Sequence, residues 1–228
     1  MGSKSCPICG GINFNQQAVL WPELVAEWQL SPVEVDYINH QQGTYCTNCG
    51  NNLRAMALAA AVVDVFDRSG STLAEFCKTI GSLRVLEINC AANLTSIFQQ
   101  IVGHRLIEYP EFDMEALDIE SAYFDLVIHS DTLEHVKHPV RALSECRRVL
   151  KCGGACVFTI PIIVDRMSRR RDGLAPSYHG GPGVFGVDQI VQTEFGVDFW
   201  KIVMESGFRH CAIHAFEYPA ALAVVAYA

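Results

Sequence analysis

The stretch that decides the fold opens with Leu83-Arg84-Val85-Leu86-Glu87-Ile88-Asn89-Cys90-Ala91-Ala92-Asn93, passes through Phe124-Asp125-Leu126-Val127-Ile128-His129-Ser130 and closes with Gly153-Gly154-Ala155-Cys156-Val157-Phe158-Thr159-Ile160-Pro161. Residues 83–88, 105–109, 124–129 and 155–161 read as short strands rich in Val, Leu and Ile. Between them, residues 94–102 and 140–150 read as helices, the second stopped by Gly153-Gly154. Strands that alternate with helices imply a mostly parallel sheet with helices on both faces, a doubly wound α/β fold. Upstream, residues 55–68 read as one helix, and Ser71 or Thr72 starts another that runs to about Ile80. Downstream, residues 199–206 form a helix. Residues 211–216 and 222–226 then form strands about Glu217-Tyr218-Pro219, which reads as an antiparallel hairpin added to the sheet edge.

The whole chain is consistent with that reading. Its 228 residues fit one good-sized domain with a small module, and 50% hydrophobic content excludes general disorder. A net charge of −8 and a pI near 5.4 argue against a sequence-independent grip on nucleic acid or docking on anionic lipid. No apolar run is long enough to span a bilayer, and the first residues, Met1-Gly2-Ser3-Lys4-Ser5-Cys6-Pro7, do not form a signal peptide. The expectation is a cytoplasmic protein whose ten cysteines are reduced or metal-bound.

Four of those cysteines have a pattern. Cys6-Pro7-Ile8-Cys9-Gly10 and Cys46-Thr47-Asn48-Cys49-Gly50 are both C-x-x-C-G knuckles. Two intervening residues let both thiolates of a knuckle reach one ion, so Cys6, Cys9, Cys46 and Cys49 together suit tetrahedral zinc. Four protein ligands leave no open position, so the zinc is structural. Residues 1–54 are taken as the zinc module and 55–228 as the main domain. Within the module, Ser31-Pro32-Val33-Glu34 starts a helix to about His40, with Trp21 and Trp28 packed beneath it. Two basic residues against four acidic ones, a net charge of −2, make the module a poor nucleic-acid reader.

In an open α/β sheet, ligands bind beyond the carboxyl ends of the strands. Acidic groups stand at two successive strand ends, at Glu87 after the first and at Glu108 to Asp113 after the second. They suit a ligand bearing ribose hydroxyls and amines. Arg84-Val85-Leu86-Glu87-Ile88 resembles the first motif of class I S-adenosylmethionine-dependent methyltransferases. Residues 124–136, with Pro139, Ala142-Leu143, Glu145, Arg147-Arg148-Val149-Leu150-Lys151 and Gly153-Gly154, resemble that family's later motifs. More weakly, Trp28, Leu30-Ser31-Pro32, Gln41-Gln42-Gly43 and residues 49–54 resemble members found with surface-glycan biosynthesis genes.

The resemblance implies a seven-stranded Rossmann-like sheet and methyl transfer from S-adenosylmethionine to a small-molecule or glycan-like acceptor. It implies that Glu87 helps hold the cofactor's amino group and that Glu108 binds the ribose. Asp113 and Met114 would read adenine, and Ser130 would border the transfer site. His135 stands near the substrate and, with His179, is the candidate base. The chain departs from the family where Gly-x-Gly-x-Gly is usual: Asn89, Ala91 and Asn93 occupy those positions. Asn tolerates a left-handed backbone, but Ala91 adds a methyl group where the cofactor lies close. A binding protein with a lapsed methyltransferase fold is therefore an alternative reading, and an RNA-modifying enzyme is a third. Residues 178–183 (Tyr-His-Gly-Gly-Pro-Gly) read as a lid or as a surface turn. Arg166, Arg169, Arg170 and Arg171 read as a solvated run or as an anion site. His129 reads as packing within its strand.

Overall fold

A computed structural model describes residues 5–68, 70–178 and 186–228. The chain opens with strand β1 (Phe14–Gln16), helices α1 (Pro22–Glu27) and α2 (Pro32–Gly43), and strand β2 (Thr44–Cys46), which pairs antiparallel with β1. Ser31 caps α2 in a full capping box with Glu34, and Pro32 sits in the first turn. Both devices supply partners or spare donors for the orphan N–H groups of a helix start. Helix α1 was not foreseen from sequence. Trp28, just beyond it, packs on Ile163 and Val191 of the main domain. Its indole N–H donates to Ser177 at 2.8 Å.

Helices α3 (Leu53–Val65) and α4 (Leu73–Thr79) follow, with Asn52 and Thr72 as their N-caps. Helix α3 is almost wholly apolar and is buried along most of its length. It covers one face of the main sheet and shares a core with the cysteine knuckles, in which Cys6, Ile8 and Cys46 are fully buried. Each large side chain so buried contributes about 1.5–3 kcal/mol.

The main sheet contains β3 (Arg84–Ile88), β4 (Gly103–Ile107), β5 (Phe124–Ser130) and β6 (Leu150–Thr159). Between β3 and β4 lies α5 (Thr95–Phe98), and between β5 and β6 lies α6 (Pro139–Val149). Helix α6 buries Ala142, Leu143, Cys146 and Val149, the spacing of one helical face, against the second face of the sheet. Short strands β7 (Ile162–Ile163), β8 (Arg169–Arg170) and β9 (Thr193–Gly196) form a separate sheet in the order β7-β9-β8. Helix α7 (Trp200–Glu205) leads to the hairpin β10 (His210–Phe216) and β11 (Ala221–Tyr227). The main order is β10-β11-β6-β5-β3-β4, with β3, β4, β5 and β6 parallel and the hairpin antiparallel at one edge.

Three expectations change. The sheet has six strands among the described residues, not seven. Residues 108–123 form no strand, because their apolar residues do not alternate over any run long enough to face one side. Instead Met114 and Leu117 tuck into the core, and the Arg148 guanidinium donates to the carbonyls of Leu117 and Ile119 at 2.8 Å. The segment is thereby fastened to α6. The helix expected over 94–102 shrinks to a 3₁₀ turn (Ala92–Leu94) and the four residues of α5. Finally, Gly153-Gly154 do not stop α6. Strand β6 already begins at Leu150, and its register with β5 shifts between the Phe124↔Leu150 and Leu126↔Ala155 pairs. Gly153 takes a positive φ of 79° in that irregularity.

The first segment is fastened to the rest by polar contacts. The Arg166 guanidinium donates to Glu34 at 2.8 Å and to the carbonyls of Trp28 and Gln29. The Tyr37 hydroxyl donates to the Ile162 carbonyl at 2.9 Å. Arg166 holds the Glu34 carboxyl near 2, well below its usual 4.5. A carboxylate depressed in the folded state contributes stability above its unfolded pKa and loses it as pH falls through the folded one. Solvent screening of this partly exposed pair holds the contribution to about 1 kcal/mol. Acid titration from pH 4.5 to 2 is therefore expected to release α1 and α2 from the domain, read as exposure of the buried Trp28 by tryptophan fluorescence.

Candidate active site

The carboxyl ends of β3, β4, β5 and β6 point the same way, and the loops that leave them carry most of the sequence-predicted residues. Glu87, near the end of β3, is fully buried. Its Oε1 accepts from the Ala91 N–H at 2.9 Å and the Thr95 hydroxyl at 2.6 Å, and its Oε2 accepts from His104 Nε2 at 2.6 Å. The carboxylate thus grips the loop that follows its own strand.

Asn89 adopts φ 57°, the left-handed conformation for which glycine is the usual residue. Its side-chain carbonyl accepts from the Tyr109 N–H at 3.0 Å, and its amide approaches the Thr132 hydroxyl at 3.4 Å. One side chain therefore ties the end of β3 to the exits of β4 and β5. Ala92 is also left-handed, at φ 50°. Ala91 is buried. Asn93 reaches the second cysteine knuckle, with its Nδ2 3.4 Å from where a Cβ on Gly50 would stand. Asn89→Ala is expected to destabilise the fold by about 2 kcal/mol, from a left-handed alanine and a lost hydrogen bond. Asn89→Gly, which loses only the bond, is expected to cost about 1 kcal/mol. Urea unfolding of both variants checks the order.

Glu108 and Asp113 lie exposed beyond β4. Asp113 Oδ1 accepts from the Glu115 N–H at 2.8 Å, and Met114 is buried. Ser130 ends β5 and hydrogen-bonds Thr159 at 2.9 Å. Asp131 follows at φ 48°, and strain of this kind in a non-glycine residue clusters at functional sites. His135 lies in a 3₁₀ turn (Leu133–His135), and its Nδ1 lies 3.0 Å from the Ile190 carbonyl. A carbonyl only accepts, so Nδ1 carries the proton and Nε2 is the acceptor of the neutral ring. Nε2 stands 3.7 Å from Glu134 Oε1. His179 lies outside the described residues. His129 is fully buried and stacked on Phe158 at 4.6 Å, which holds its pKa down at about 3 through burial.

A cavity of about 410 Å³ opens beside His135. Its far wall comes from the first segment, including Leu20, Trp21, Trp28 and Gln41, and its near wall from Asp131, Glu134, His135 and the Pro161–Ile163 turn. Arg54, which sequence reasoning passed over, sits at the join. It is 5% exposed and pairs with Asp131 at 2.6 Å. Gln41 Oε1 accepts two further guanidinium donors at 2.6 and 3.2 Å. The place of Arg54 just after the second knuckle carries no local pattern in the sequence, and its role appears only in the fold.

The arginines of the 166–171 run are all engaged by carboxylates, with Arg169 and Arg170 exposed at the surface and the Arg171 side chain buried. Arg166 holds Glu34, Arg169 and Arg171 pair with Glu194, and Arg170 pairs with Asp172. Arg166, together with Arg171 at 3.6 Å from Glu27, ties this region to the first segment, while the Glu194 pairs hold the small sheet itself.

The four knuckle cysteines converge. Cys6 and Cys49 lie 3.8 Å apart at sulfur, as do Cys9 and Cys46, and all four sulfurs fall within 4.8 Å of one another. Four sulfurs at about 2.3 Å around one tetrahedral zinc stand about 3.8 Å apart, so the donor set fits that ion. Gly10 and Gly50 take φ 77° and 72°, as knuckle turns require. A Cβ on Gly11 would meet Cys46 Sγ at 2.8 Å. Burial pushes the Cys6 thiol up. Burial also works against the Cys9 thiolate, but hydrogen bonds led by the Asn48 side chain outweigh it and bring the thiol down to about 7.

The family described as "Methyltransferase domain" matches residues 68–158. The ubiquinone biosynthesis O-methyltransferase of Paracidovorax citrulli is 27% identical over 156 residues, 64% of this chain and 58% of that protein. The enzyme of the same name from Idiomarina loihiensis is 29% identical over 138 residues, 58% of this chain and 49% of its own length. The chain thus spans about half the length of these curated relatives. Among solved structures, S-adenosylmethionine-bound CalS10, an amino pentose methyltransferase from Micromonospora echinaspora, aligns with a TM-score of 0.44 and 15% identity over 75% of this chain and 91% of that one. The match to the methyltransferase-domain family thus lies in residues 68–158, less than half of the chain, and takes in β3 to most of β6.

Proposed function

We propose that the chain transfers a methyl group from S-adenosylmethionine to a hydroxyl oxygen of a small-molecule acceptor, with residues 1–54 acting as a zinc-stapled wall of the acceptor cavity. The observation that carries this reading is the cavity itself, which brings His135 together with the exit of β5 on the ligand side of the sheet. The names of the relatives support oxygen as the methylated atom. A carbohydrate acceptor stays within the proposal.

The loop at 89–93 would carry the cofactor's methionine end, shaped from behind by Glu87. Exposed Glu108 and Asp113 would accept from ribose hydroxyls and the adenine amine, with Met114 beside them and Ser130 bordering the transfer site. The bound cofactor supplies a methyl on a sulfonium, already a good leaving group. The chain's own task is to hold the acceptor in line and exclude water, the source of most of the rate in such reactions. His135 Nε2 would take the acceptor's hydroxyl proton, and the Glu134 carboxylate 3.7 Å away would favour the imidazolium that results. Zinc on Cys6, Cys9, Cys46 and Cys49 would keep the wall in place.

His135→Gln is expected to lower kcat by about 10²–10⁴-fold while leaving the S-adenosylmethionine Kd unchanged, followed as S-adenosylhomocysteine release and by calorimetry. A second reading rests on Asn89, whose side chain spans the exits of β4 and β5 where the family usually has glycine. If that span blocks the cofactor, the chain is a binding protein on a lapsed fold. Calorimetric titration of S-adenosylmethionine decides: binding near micromolar supports the enzyme, and none at millimolar ligand supports the lapsed fold.

A further inference from the structure

The cavity beside His135 also carries information about the charge of what it takes. This argument rests on the acceptor reading above. Among its described lining residues, the permanently charged groups are Arg54, Asp131 and Glu134. Arg54 is buried and engaged on Asp131 at 2.6 Å and on Gln41, and Asp131 and Glu134 both stabilise its positive charge. One guanidinium thus faces two carboxylates, and the guanidinium is already committed. The fixed charge of the cavity is net negative.

A carboxylate or phosphate entering this space would meet Glu134 and Asp131 and find Arg54, the one fixed cation among the described lining residues, occupied. Buried like charges at such separations cost far more than in water. The remaining lining is largely apolar, with Trp21 and Trp28 among several Leu and Ile side chains. Such walls suit the flat face of a ring. The carboxylates and His135 Nε2 accept from hydroxyl donors. A sulfonium on the neighbouring cofactor would bring the combined charge to neutrality without any charge on the acceptor.

We infer that the cavity selects an uncharged, hydroxyl-bearing ring and rejects anionic ones, with Asp131 and Glu134 as the charge filter. Both phenols and neutral sugars share that chemistry. Nucleotide-linked and carboxylated rings do not, wherever their charge must enter the cavity.

The test uses the cavity tryptophans as reporters. The chain has three tryptophans, and Trp200 is 47% exposed. In the zinc-loaded Trp200→Phe protein, fluorescence is titrated with two matched pairs: catechol against 3,4-dihydroxybenzoate, and methyl β-glucoside against methyl β-glucuronide. The neutral member of at least one pair is expected to bind about tenfold or more tightly than its carboxylate, and the pair that responds identifies an aromatic or a sugar acceptor. Glu134→Gln, which retains the side chain's shape, is expected to narrow that ratio. Equal or tighter binding of the carboxylates overturns the inference, and so does the absence of a response to both neutral probes. Parallel calorimetry with S-adenosylmethionine separates the two readings. Cofactor binding without selectivity overturns the charge filter alone, whereas loss of cofactor binding overturns the enzyme reading while the fluorescence arm still reports on the filter.

Discussion

Zinc removal is expected to dismantle the acceptor wall and to weaken the cofactor loop with it. Cys6, Ile8 and Cys46 are fully buried in a core shared with α3 and the main sheet. The knuckles are also hydrogen-bonded outward. The Leu73 N–H donates to the Pro7 carbonyl at 2.8 Å and the Ala74 N–H to Ile8 at 3.2 Å, so the first knuckle supplies acceptors to the start of α4. The second knuckle abuts Asn93 in the loop that follows β3. Four thiols crowded to 3.8 Å without an ion lose the interaction that justifies their placement. Cys46→Ser, or chelation of the wild-type protein, is expected to cost about 3–5 kcal/mol, near the magnitude of losing another covalent-strength staple. Thermal melting with and without chelator, alongside zinc determination by mass spectrometry, reads the effect. One zinc per chain in the wild type and none in the variant is the expected stoichiometry. A wild-type protein that purifies without metal and melts unchanged in chelator would overturn the assignment.

Much of this arrangement was legible in the sequence because local and global signals agreed. The Ser31 capping box placed one helix start, Ser71 or Thr72 a second that the structure settles at Thr72, and alternation of apolar runs placed β3, β5, β6 and α6. The C-x-x-C-G spacing brought together four cysteines that are 37–43 residues apart in the chain. What failed depends on tertiary context. Residues 108–123 hold their place through Arg148 and Glu145 on α6, contacts that no local periodicity announces. Gly153 and Gly154 look like a helix stop, yet they serve a register shift inside a strand. Arg166 and Arg171 look solvated in the sequence, because their partners, Glu34 and Glu194, lie on distant segments. Arg54 and the cavity belong to the same class, since the pocket exists only where the first segment meets the turn after β6.

Glu87 offers the sharpest separation between a residue that shapes a cofactor loop and one that touches the cofactor. The family resemblance implies that this acid helps hold the cofactor's amino group, whereas its three hydrogen bonds run inward to Ala91, Thr95 and His104. Glu87→Ala strands three buried partners, each costing about 1–3 kcal/mol, so the loop is expected to collapse and S-adenosylmethionine affinity to fall by more than about 100-fold. Glu87→Gln is different. Its amide oxygen can keep both loop donors, and its NH₂ then faces His104, whose ring can accept at Nε2 by changing tautomer. The affinity loss for Glu87→Gln is therefore expected to stay below about tenfold, with the melting temperature close to wild type. His104→Ala in the Glu87→Gln background removes that accommodation and is expected to bring the affinity down toward the Glu87→Ala value. Calorimetric Kd values, taken on variants whose circular dichroism matches wild type, decide between the two roles. If the negative charge itself held the cofactor's ammonium, Glu87→Gln would lose as much affinity as Glu87→Ala, and the His104 variant would add nothing.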